Sequence, residues 1–562
     1  MATLVLQGAG AALGSQFGPI GSAVGRAAGA LVGNSIDRSL FGEDRLIEGS
    51  RLTDLQVQES REGAPIPRVF GRVRLSGQVI WATEFEEVVT DEEQGGKGGG
   101  PTTTTRSFSY FGNFAVAICE GEISRIGRIW ADGELLDTNA LTMRIYLGDE
   151  QQEPDSLISA KQGNDKAPAY RGTAYVVFER MPLANYGNRL PQLSFEVIKS
   201  VGELEKQVKA IQLIPGASEF IYDTNPVIER NVDPLFASHN RHVSHASTDF
   251  EAALDELTAI CPAIESIALV SAWFGSDLRC GQCQIAPKVE TQFRNIDRAE
   301  DWRVAGLERF FATTVSQING APAFGGSPSD AGLIRSIQDI KSRGLKVTYN
   351  PFLMMDIPNG NQLPDPYSDN VGQAIYPWRG RVTASLAPNV TGSPDGRSEL
   401  RAEVDAFLGS AANNQFSVNN GQVSFSGNND WGYRRFILHA AHLCALAGGV
   451  DTFLIGSEMR SLTLLRDDAG RHPFVDGLIA LAADVRSILG PDTVITYGAD
   501  WSEYFGHHPQ DGSGDVLFHL DPLWADENID AIGIDNYMPL ADWRDGSAHL
   551  DAQEYATIYD AE

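Results

Sequence analysis

The stretch DTFLIGSEMR, residues 451–460, decides the fold of the C-terminal half of the chain. Its first seven residues form a short apolar run of strand length, and Glu458 follows that run directly. Amphipathic segments with helical periodicity separate the runs of this kind and end at or near glycine, as helices prefer. The candidate strands are 266–275, 310–316, 345–355, 451–457, 494–499 and 529–537, and the helices include 330–344, 431–449 and 475–490. This alternation predicts a parallel (β/α)8 barrel over residues 246–562.

The polar and aromatic residues that belong to these runs are the candidate functional residues, because barrel sites form at the C-terminal ends of strands. Glu458 follows the fourth run and Asp535 the sixth, and we predict both as catalytic. Carboxylates among aromatic rings suit carbohydrate chemistry, since one acid protonates the leaving oxygen and flat rings stack on sugars. The predicted substrate-binding residues are Trp273, Tyr349, Asn350, Asp500, Trp501 and Tyr537.

The barrel pattern contains six strand-length runs, and the sequence stops at IYDAE (558–562) within a helical pattern. An open six-stranded barrel leaves strand edges unpaired. We therefore expect the seventh and eighth strands to lie beyond residue 562.

The first 45 residues carry a stripe of glycine. In GSAVGRAAGALVGN (21–34), Gly21, Gly25, Gly29 and Gly33 recur at every fourth position. Each glycine within a helix costs about 1 kcal/mol relative to alanine, so the stripe favours a helix in close contact with copies of itself or with a surrounding tube. A membrane-active segment is the alternative. A signal peptide fits poorly because a basic leader is missing and Pro19 divides the segment.

The sequence pattern of residues 46–245 predicts a β-rich region. Branched and aromatic residues alternate between glycine-rich turns in runs such as 67–83, 107–121 and 170–183. The insertion 92–105 contains a Gly-Lys pair without the order of a phosphate-binding loop, and it predicts a mobile loop.

Charge and cysteine content exclude several classes of protein. The 44 basic and 74 acidic residues give a net charge of −30, which argues against sequence-reading DNA binding. Such a surface lets nucleic acid pass without sticking. The five cysteines have irregular spacing, so they do not predict a disulfide scaffold. The Cys280–Cys283 pair and the histidines of 507–519 lack a complete ligand set, and we expect neither a metal nor a cofactor.

A long insertion at 358–392 interrupts the barrel pattern. Loops of this size at a barrel mouth are usually functional or form lids. Trp378 and Arg379 within it either contact a polysaccharide or hold the loop against the barrel.

Two parts of the sequence resemble known families. IPRVFGRVRLSGQVIW (66–81), 110–136, PAYRGTAYVVFERMPL (168–183) and NRLPQLSFEV (188–197) resemble the N-terminal hub domains of tail-tip proteins from long-tailed phages. The C-terminal region resembles the glycoside-hydrolase-like barrel of the baseplate hub proteins of gene transfer agents, phage-like particles that carry host DNA. The motifs that carry this second resemblance are RCGQCQIAPKVE (279–290), 321–330, 344–358, FLIGSEMRSLT (453–463) and 529–544.

The resemblance implies a multidomain α+β protein of the tail tip of a virion-like particle assembled in the bacterial cytoplasm. It implies a homotrimeric hub that contacts distal tail and tail tube proteins and lets DNA pass through its lumen, with the N-terminal segment near the axis or in the host membrane. The barrel is then expected to bind or cleave cell-envelope polysaccharide or peptidoglycan.

Related retaining glycosidase barrels carry the acid/base glutamate after strand four, which Glu458 matches, and the nucleophile after strand seven, beyond residue 562. Asp535 in an inverting arrangement is one alternative, and a barrel without turnover is another. A soluble glycoside hydrolase with an accessory β-domain is the alternative from a different class.

Overall fold

The computed structural model describes residues 65–94, 103–202, 204–214, 218–230, 237–296, 301–510, 512–539 and 541–558, with the strand Arg45–Glu48 and a few separate positions before residue 65. The chain divides into two compact units, Met1–Val201 and Gly202–Glu562. Gly21, Gly25, Gly29 and Gly33 lie outside the described residues, so the predicted packing of the glycine stripe stays a prediction. Within the described residues, every helix is too short or too polar to cross a bilayer.

The first unit is built mainly from β-strands, as the alternating runs of residues 46–200 predict. Its one described helix of more than one turn, α1 (Ser156–Gln162), begins at Asp155, whose carboxylate accepts hydrogen bonds from the backbone N–H of Leu157 and Ile158. The strands are β1 (Arg45–Glu48), β2 (Gly71–Ser76), β3 (Gln78–Ala82), β4 (Glu86–Gln94), β5 (Thr103–Glu120), β6 (Arg125–Ala131), β7 (Glu134–Leu135), β8 (Thr142–Tyr146), β9 (Thr173–Pro182) and β10 (Leu193–Lys199).

These strands form two sheets. The 18-residue strand β5 pairs with β1, β3, β4 and β9, and β8 extends the sheet beyond β9. The second sheet has the order β2-β10-β6-β7. Side chains from both sheets share one buried core, in which the rings of Phe114 and Phe178 stack at 5.0 Å beside Phe195 and Val197.

A buried carboxylate anchors the second sheet. Glu196 on β10 accepts hydrogen bonds from the side chains of Arg72 and Arg128 and from the backbone N–H of Arg128. These bonds, led by those from the Arg128 guanidinium, lower the pKa of Glu196 to about 2. A side chain at Gly127 would approach Glu196 Oε2 to 2.7 Å, so the glycine leaves room for this arrangement.

The second unit alternates strands and helices. Its main elements are β11 (Ala210–Leu213), α2 (Asp249–Ile260), β12 (Ser266–Gly275), α3 (Asp330–Ser342), β13 (Lys346–Met355), α4 (Glu399–Leu408), α5 (Tyr433–Leu446), β14 (Thr452–Ser457), α6 (Pro473–Leu489), β15 (Val494–Asp500) and β16 (Gly533–Asp535). One-turn helices lie at Leu204–Gln207, Arg460–Thr463, Asp521–Trp524 and Asp551–Glu554. Short strand pairs join Ile228–Glu229 to Ala237–Ser238, Lys288–Val289 to Thr313–Thr314, Arg303–Val304 to Leu307–Glu308, Gln317–Ile318 to Ala321–Pro322 and Phe416–Asn419 to Gln422–Phe425, and Ile285–Ala286 pairs with β12.

The six main strands of this unit form one parallel sheet in the order β11-β12-β13-β14-β15-β16, a half-barrel. Alternate strand residues, such as Ile267, Val347 and Phe453, are fully buried in one core with helix residues, among them Phe436 and Leu478. The opposite face of the sheet is the interior face of the half-barrel.

One sequence-based assignment differs from this sheet. The predicted second strand, 310–316, is wrong, because Arg309–Phe311 forms a helical turn and Thr313–Thr314 pairs with Lys288–Val289 outside the sheet. The sheet instead begins with β11, which pairs with β12. The second compact unit begins at Gly202, and the domain boundary predicted from the sequence at residue 246 stays a prediction. The strand count stays at six, and Glu458 still follows the fourth strand.

Candidate functional site

Glu458 stands at the end of β14 in a strained backbone. Its φ is +53°, a left-handed conformation that few residues other than glycine adopt. Gly456, two residues earlier, has φ +147°, and a Cβ there would lie 1.8 Å from the hydroxyl oxygen of Tyr433. That hydroxyl donates a hydrogen bond to the carbonyl of Ile455 at 3.0 Å. Strained backbone of this kind persists where the surrounding structure fixes it, and it marks candidate functional positions.

Three donors converge on the carboxylate of Glu458, which is only 3% exposed. The indole N–H of Trp378 donates to Oε2 at 2.6 Å, and the hydroxyl of Tyr537 donates to Oε1 at 2.8 Å. Arg379 Nη2 lies 3.0 Å from Oε2. Both carboxylate oxygens are therefore held, and the side chain is fixed in one orientation at the strand ends.

Asp535, at the end of β16, shares this environment. Its Oδ2 lies 4.0 Å from Arg379 Nη2. Burial, followed by the charge of Glu458 and a hydrogen bond with it, raises the pKa of Asp535 to about 7. Asp535 therefore still holds a proton in part of the molecules near neutral pH. The structure brings together the two predicted catalytic residues.

The insertion 358–392 supplies two of the groups around Glu458. Arg379 donates from Nε to the carbonyl of Ser457 at 2.8 Å and from Nη2 to the Ser457 hydroxyl at 2.9 Å. Its guanidinium lies 3.8 Å from the ring centroid of Phe352. Arg379 thus holds the loop against β13 and β14. Trp378, beside it, contacts the candidate carboxylate directly while remaining 37% exposed.

A second buried carboxyl, which the sequence did not indicate, supports the backbone next to Glu458. The Tyr497 hydroxyl accepts a hydrogen bond from the N–H of Met459 at 2.7 Å and donates to Glu503. Thr463 Oγ1 and the N–H of Asp500 also donate to Glu503, at 2.5 and 3.0 Å. Burial raises the pKa of Glu503 to about 7. This role depends on contact between two segments that are distant in sequence, 459–463 and 497–503, so no local pattern predicts it.

The predicted binding residues at the ends of β15 and β16 differ in their exposure to solvent. The side chains of Trp501 and Tyr537 are 38% and 64% exposed, so their rings are available to a ligand. Asp500 is buried, and its carboxylate accepts hydrogen bonds from the backbone N–H and the hydroxyl of Ser502. Asp500 therefore stabilises the turn after β15.

Three predicted binding residues lie within strands rather than at the mouth. The ring of Trp273 stacks at 5.1 Å on Phe436 of α5, in the helix-side core. Tyr349 faces the same side, and its hydroxyl lies 2.6 Å from Ser271 Oγ. Helices cover the side chains on this face of the sheet, and substrate binding by these two residues stays a prediction. Asn350 is also buried in mid-strand, and its Oδ1 has no hydrogen-bond partner among the described residues.

The cysteines and histidines do not form a metal centre in the part of the chain that the structure describes. All five cysteines are buried free thiols, including Cys280 and Cys283. Burial lowers the pKa of His519 to about 4, and its ring lies against His472 and His507.

Comparison with known proteins gives one family match. Residues 431–562 match the family model described as the GTA TIM-barrel-like domain. A chain from the virion of a native gene transfer agent (GTA) particle is 38% identical, over 35% of this chain and 44% of that chain, with a TM-score of 0.23. This chain thus spans less than half of that relative.

Solved structures that match also include glycoside hydrolases. A GH113 β-1,4-mannanase is 14% identical over 50% of this chain and 53% of that chain, with a TM-score of 0.24. The GH113 β-mannanase AaManA from Alicyclobacillus acidocaldarius is 16% identical over 49% and 53% of the two chains, with a TM-score of 0.23. No curated protein matches the chain.

The family match covers α5, β14, β15 and β16, together with Glu458 and Asp535. It coincides with the region whose motifs at 453–463 and 529–544 resemble gene transfer agent proteins. The match of residues 431–562 to the GTA TIM-barrel-like domain confirms the resemblance of this chain to gene transfer agent proteins.

Proposed function

We propose that this chain is a baseplate hub component at the tail tip of a gene transfer agent particle, and that its half-barrel binds glycan of the cell envelope. The observation that carries the glycan proposal is the pair of Glu458 and Asp535, which both face Arg379 Nη2, beside the exposed rings of Trp501 and Tyr537. Cell-envelope polysaccharide or peptidoglycan is the ligand we propose.

The arrangement around the pair suits sugar recognition. Aromatic faces stack on the apolar faces of sugar rings, and Trp378, Trp501 and Tyr537 offer three partly exposed rings. A protonated Asp535 both donates and accepts hydrogen bonds, as sugar hydroxyls require. Arg379 compensates the remaining charge of the pair.

The particle role rests on the family match and on charge. We propose that the β-rich first unit assembles as a homotrimer with distal tail and tail tube proteins. The net charge of −30 would keep DNA from adhering as it passes through the lumen. The glycine-striped segment at 1–45 would pack near the axis or enter the host membrane during delivery.

Glycan hydrolysis is the second candidate function, and the raised pKa of Asp535 favours it. A carboxyl with a pKa of about 7 still holds a proton near neutral pH and suits general acid catalysis. In a retaining reaction Glu458 would be the acid/base instead of Asp535, and the nucleophile would be a residue other than these two. A soluble hydrolase, the remaining alternative, would not assemble on a tail tube.

The test is binding of the full chain to purified peptidoglycan and capsular polysaccharide by sedimentation. Trp501→Ala should weaken binding about tenfold or more through the lost ring contact. Phe293→Ala is the control, because Phe293 is 72% exposed and contacts none of the groups around Glu458 that the structure describes. Equal binding by Trp501→Ala and the parent would contradict the proposal.

Release of reducing ends separates binding from hydrolysis. Release that Glu458→Gln abolishes would establish turnover at this site. If neither the parent nor Glu458→Gln releases reducing ends while both bind, the half-barrel is a binding module.

A further inference from the structure

A cavity of about 640 Å³ lies against the interior face of the half-barrel. Its volume falls within the range of sites that take small organic molecules, about 300–1,000 Å³. Strand side chains from β12 and β13 form one wall, and the segment 321–326 forms another. The strand residues that line it are Val270, Ala272, Phe274, Phe352 and Met354.

The cavity adjoins the candidate site. Phe352 lines the cavity, and the guanidinium of Arg379 lies 3.8 Å from the centroid of its ring. The same guanidinium contacts Glu458 at 3.0 Å. Phe274 and Met354 are partners in register near the C-terminal ends of their strands, the end at which β14 presents Glu458. A molecule held at Glu458 could therefore extend into the cavity.

One ionisable group faces this mostly apolar space. Glu290 lines the cavity, and its side chain is only 9% exposed. Its Oε2 contacts Arg294, whereas its buried Oε1 has no hydrogen-bond partner among the described residues. Burial and the neighbouring charge of Glu219 raise the pKa of Glu290 to about 7. A buried oxygen without a partner costs free energy, which a ligand that pairs with it recovers.

The walls restrict the chemistry of the occupant. A sugar face rich in hydroxyl groups would lose its hydrogen bonds to water against phenylalanine, alanine and methionine side chains. An acetamido group presents a methyl group to such walls and a single amide to a polar atom. An N-acetylated amino sugar therefore matches the cavity better than a plain hexose.

We propose that this cavity receives the acetamido group of an N-acetylated amino sugar whose ring lies beside Glu458, and that Glu290 Oε1 hydrogen-bonds the amide. This inference rests on the proposed glycan-binding function and names its substrate class. It assigns Glu290, Ala272 and Phe352 to recognition of the substituent.

Two disaccharides that share one linkage and differ in the C2 substituent test the inference. The full chain is titrated calorimetrically with di-N-acetylchitobiose and with cellobiose. We expect the N-acetylated sugar to bind at least about tenfold more tightly, the usual gain from one well-buried small group. Ala272→Met narrows the cavity at its β12 wall and should bring the two affinities within about threefold. Val270→Phe narrows the same wall and replaces Ala272→Met if that variant fails to fold.

Control variants and the possible outcomes separate this inference from the proposed function. Glu290→Gln retains an oxygen acceptor and should keep most of the preference, and Phe293→Ala should keep all of it. Equal affinity of the parent for both sugars, with both weakened by Trp501→Ala, would overturn the inference and leave glycan binding intact. Absence of binding to either sugar and to the envelope glycans would overturn both.

Discussion

Replacing Gly456 by alanine should destabilise the second unit and displace Glu458. The substitution adds one methyl group at a backbone φ of +147°, 1.8 Å from the hydroxyl oxygen of Tyr433. Two buried strands and α5 meet at this point, so neither the backbone nor the tyrosine can move without losing contacts.

The magnitude follows from two separate costs. An alanine in this backbone conformation is strained by about 1–3 kcal/mol. Displacing the Tyr433 hydroxyl also breaks its hydrogen bond to the Ile455 carbonyl, and an unpaired buried group costs about 1–3 kcal/mol. We expect Gly456→Ala to lower the free energy of unfolding by about 2–6 kcal/mol. Gly470→Ala is the control, since its φ is +71° with nothing within 4 Å, and it should cost about 1–2 kcal/mol.

A double-mutant cycle isolates the contact. Tyr433→Phe removes the hydroxyl, after which the nearest ring atom lies 3.1 Å from the added methyl group. Urea denaturation followed by tryptophan fluorescence should show that Gly456→Ala costs about 1–3 kcal/mol less in the Tyr433→Phe background. Costs that add within about 0.5 kcal/mol would refute the reasoning, because independent sites behave in that way.

Three further outcomes can be measured. Asp535 binds its proton more tightly in the folded protein than in the unfolded one, so the stability that it contributes is complete below pH 3.8 and is lost as the pH rises towards 7. The melting temperature of Asp535→Asn, measured against pH, should lack this part of the decline. Parallel melting profiles for the two proteins would contradict this expectation. Glu196→Gln should destabilise the first unit by about 1–3 kcal/mol in urea because it weakens the bonds from Arg72 and Arg128, whereas the exposed Glu134→Gln should change stability by less than about 0.5 kcal/mol. The five buried thiols should react with an aromatic disulfide reagent only after denaturant is added, and fast labelling of the folded chain would disagree with their burial.

The sequence predicts those parts of the site that depend on local pattern. Runs of apolar residues place β13, β14 and β15 correctly, and the rule that barrel sites follow strand ends finds Glu458 and Asp535. Trp273 and Tyr349 lie within strands, where alternation places their side chains under the helices, and their role in substrate binding stays a prediction.

Other features depend on contacts between distant segments. Strand β11 has four residues, too few for a periodic signal, and its pairing with β12 makes it part of the sheet. The run 310–316 has strand-like composition, but it follows Arg309, which is buried between Glu219 and Asp301 and fixes a turn there. Arg379 and Glu503 are distant from Glu458 in sequence, and only folding brings them to the site.

The sheet of the first unit that contains β5 depends on this one strand for its assembly. Strand β5 pairs with β9, whose residues lie more than 50 positions later in the chain, and it also holds β1, β3 and β4. During synthesis, the earlier strands therefore have no complete sheet to join until the chain has been made through Pro182. Long-range pairing of this kind slows folding, so a ribosome-bound fragment that ends before β9 should remain sensitive to protease.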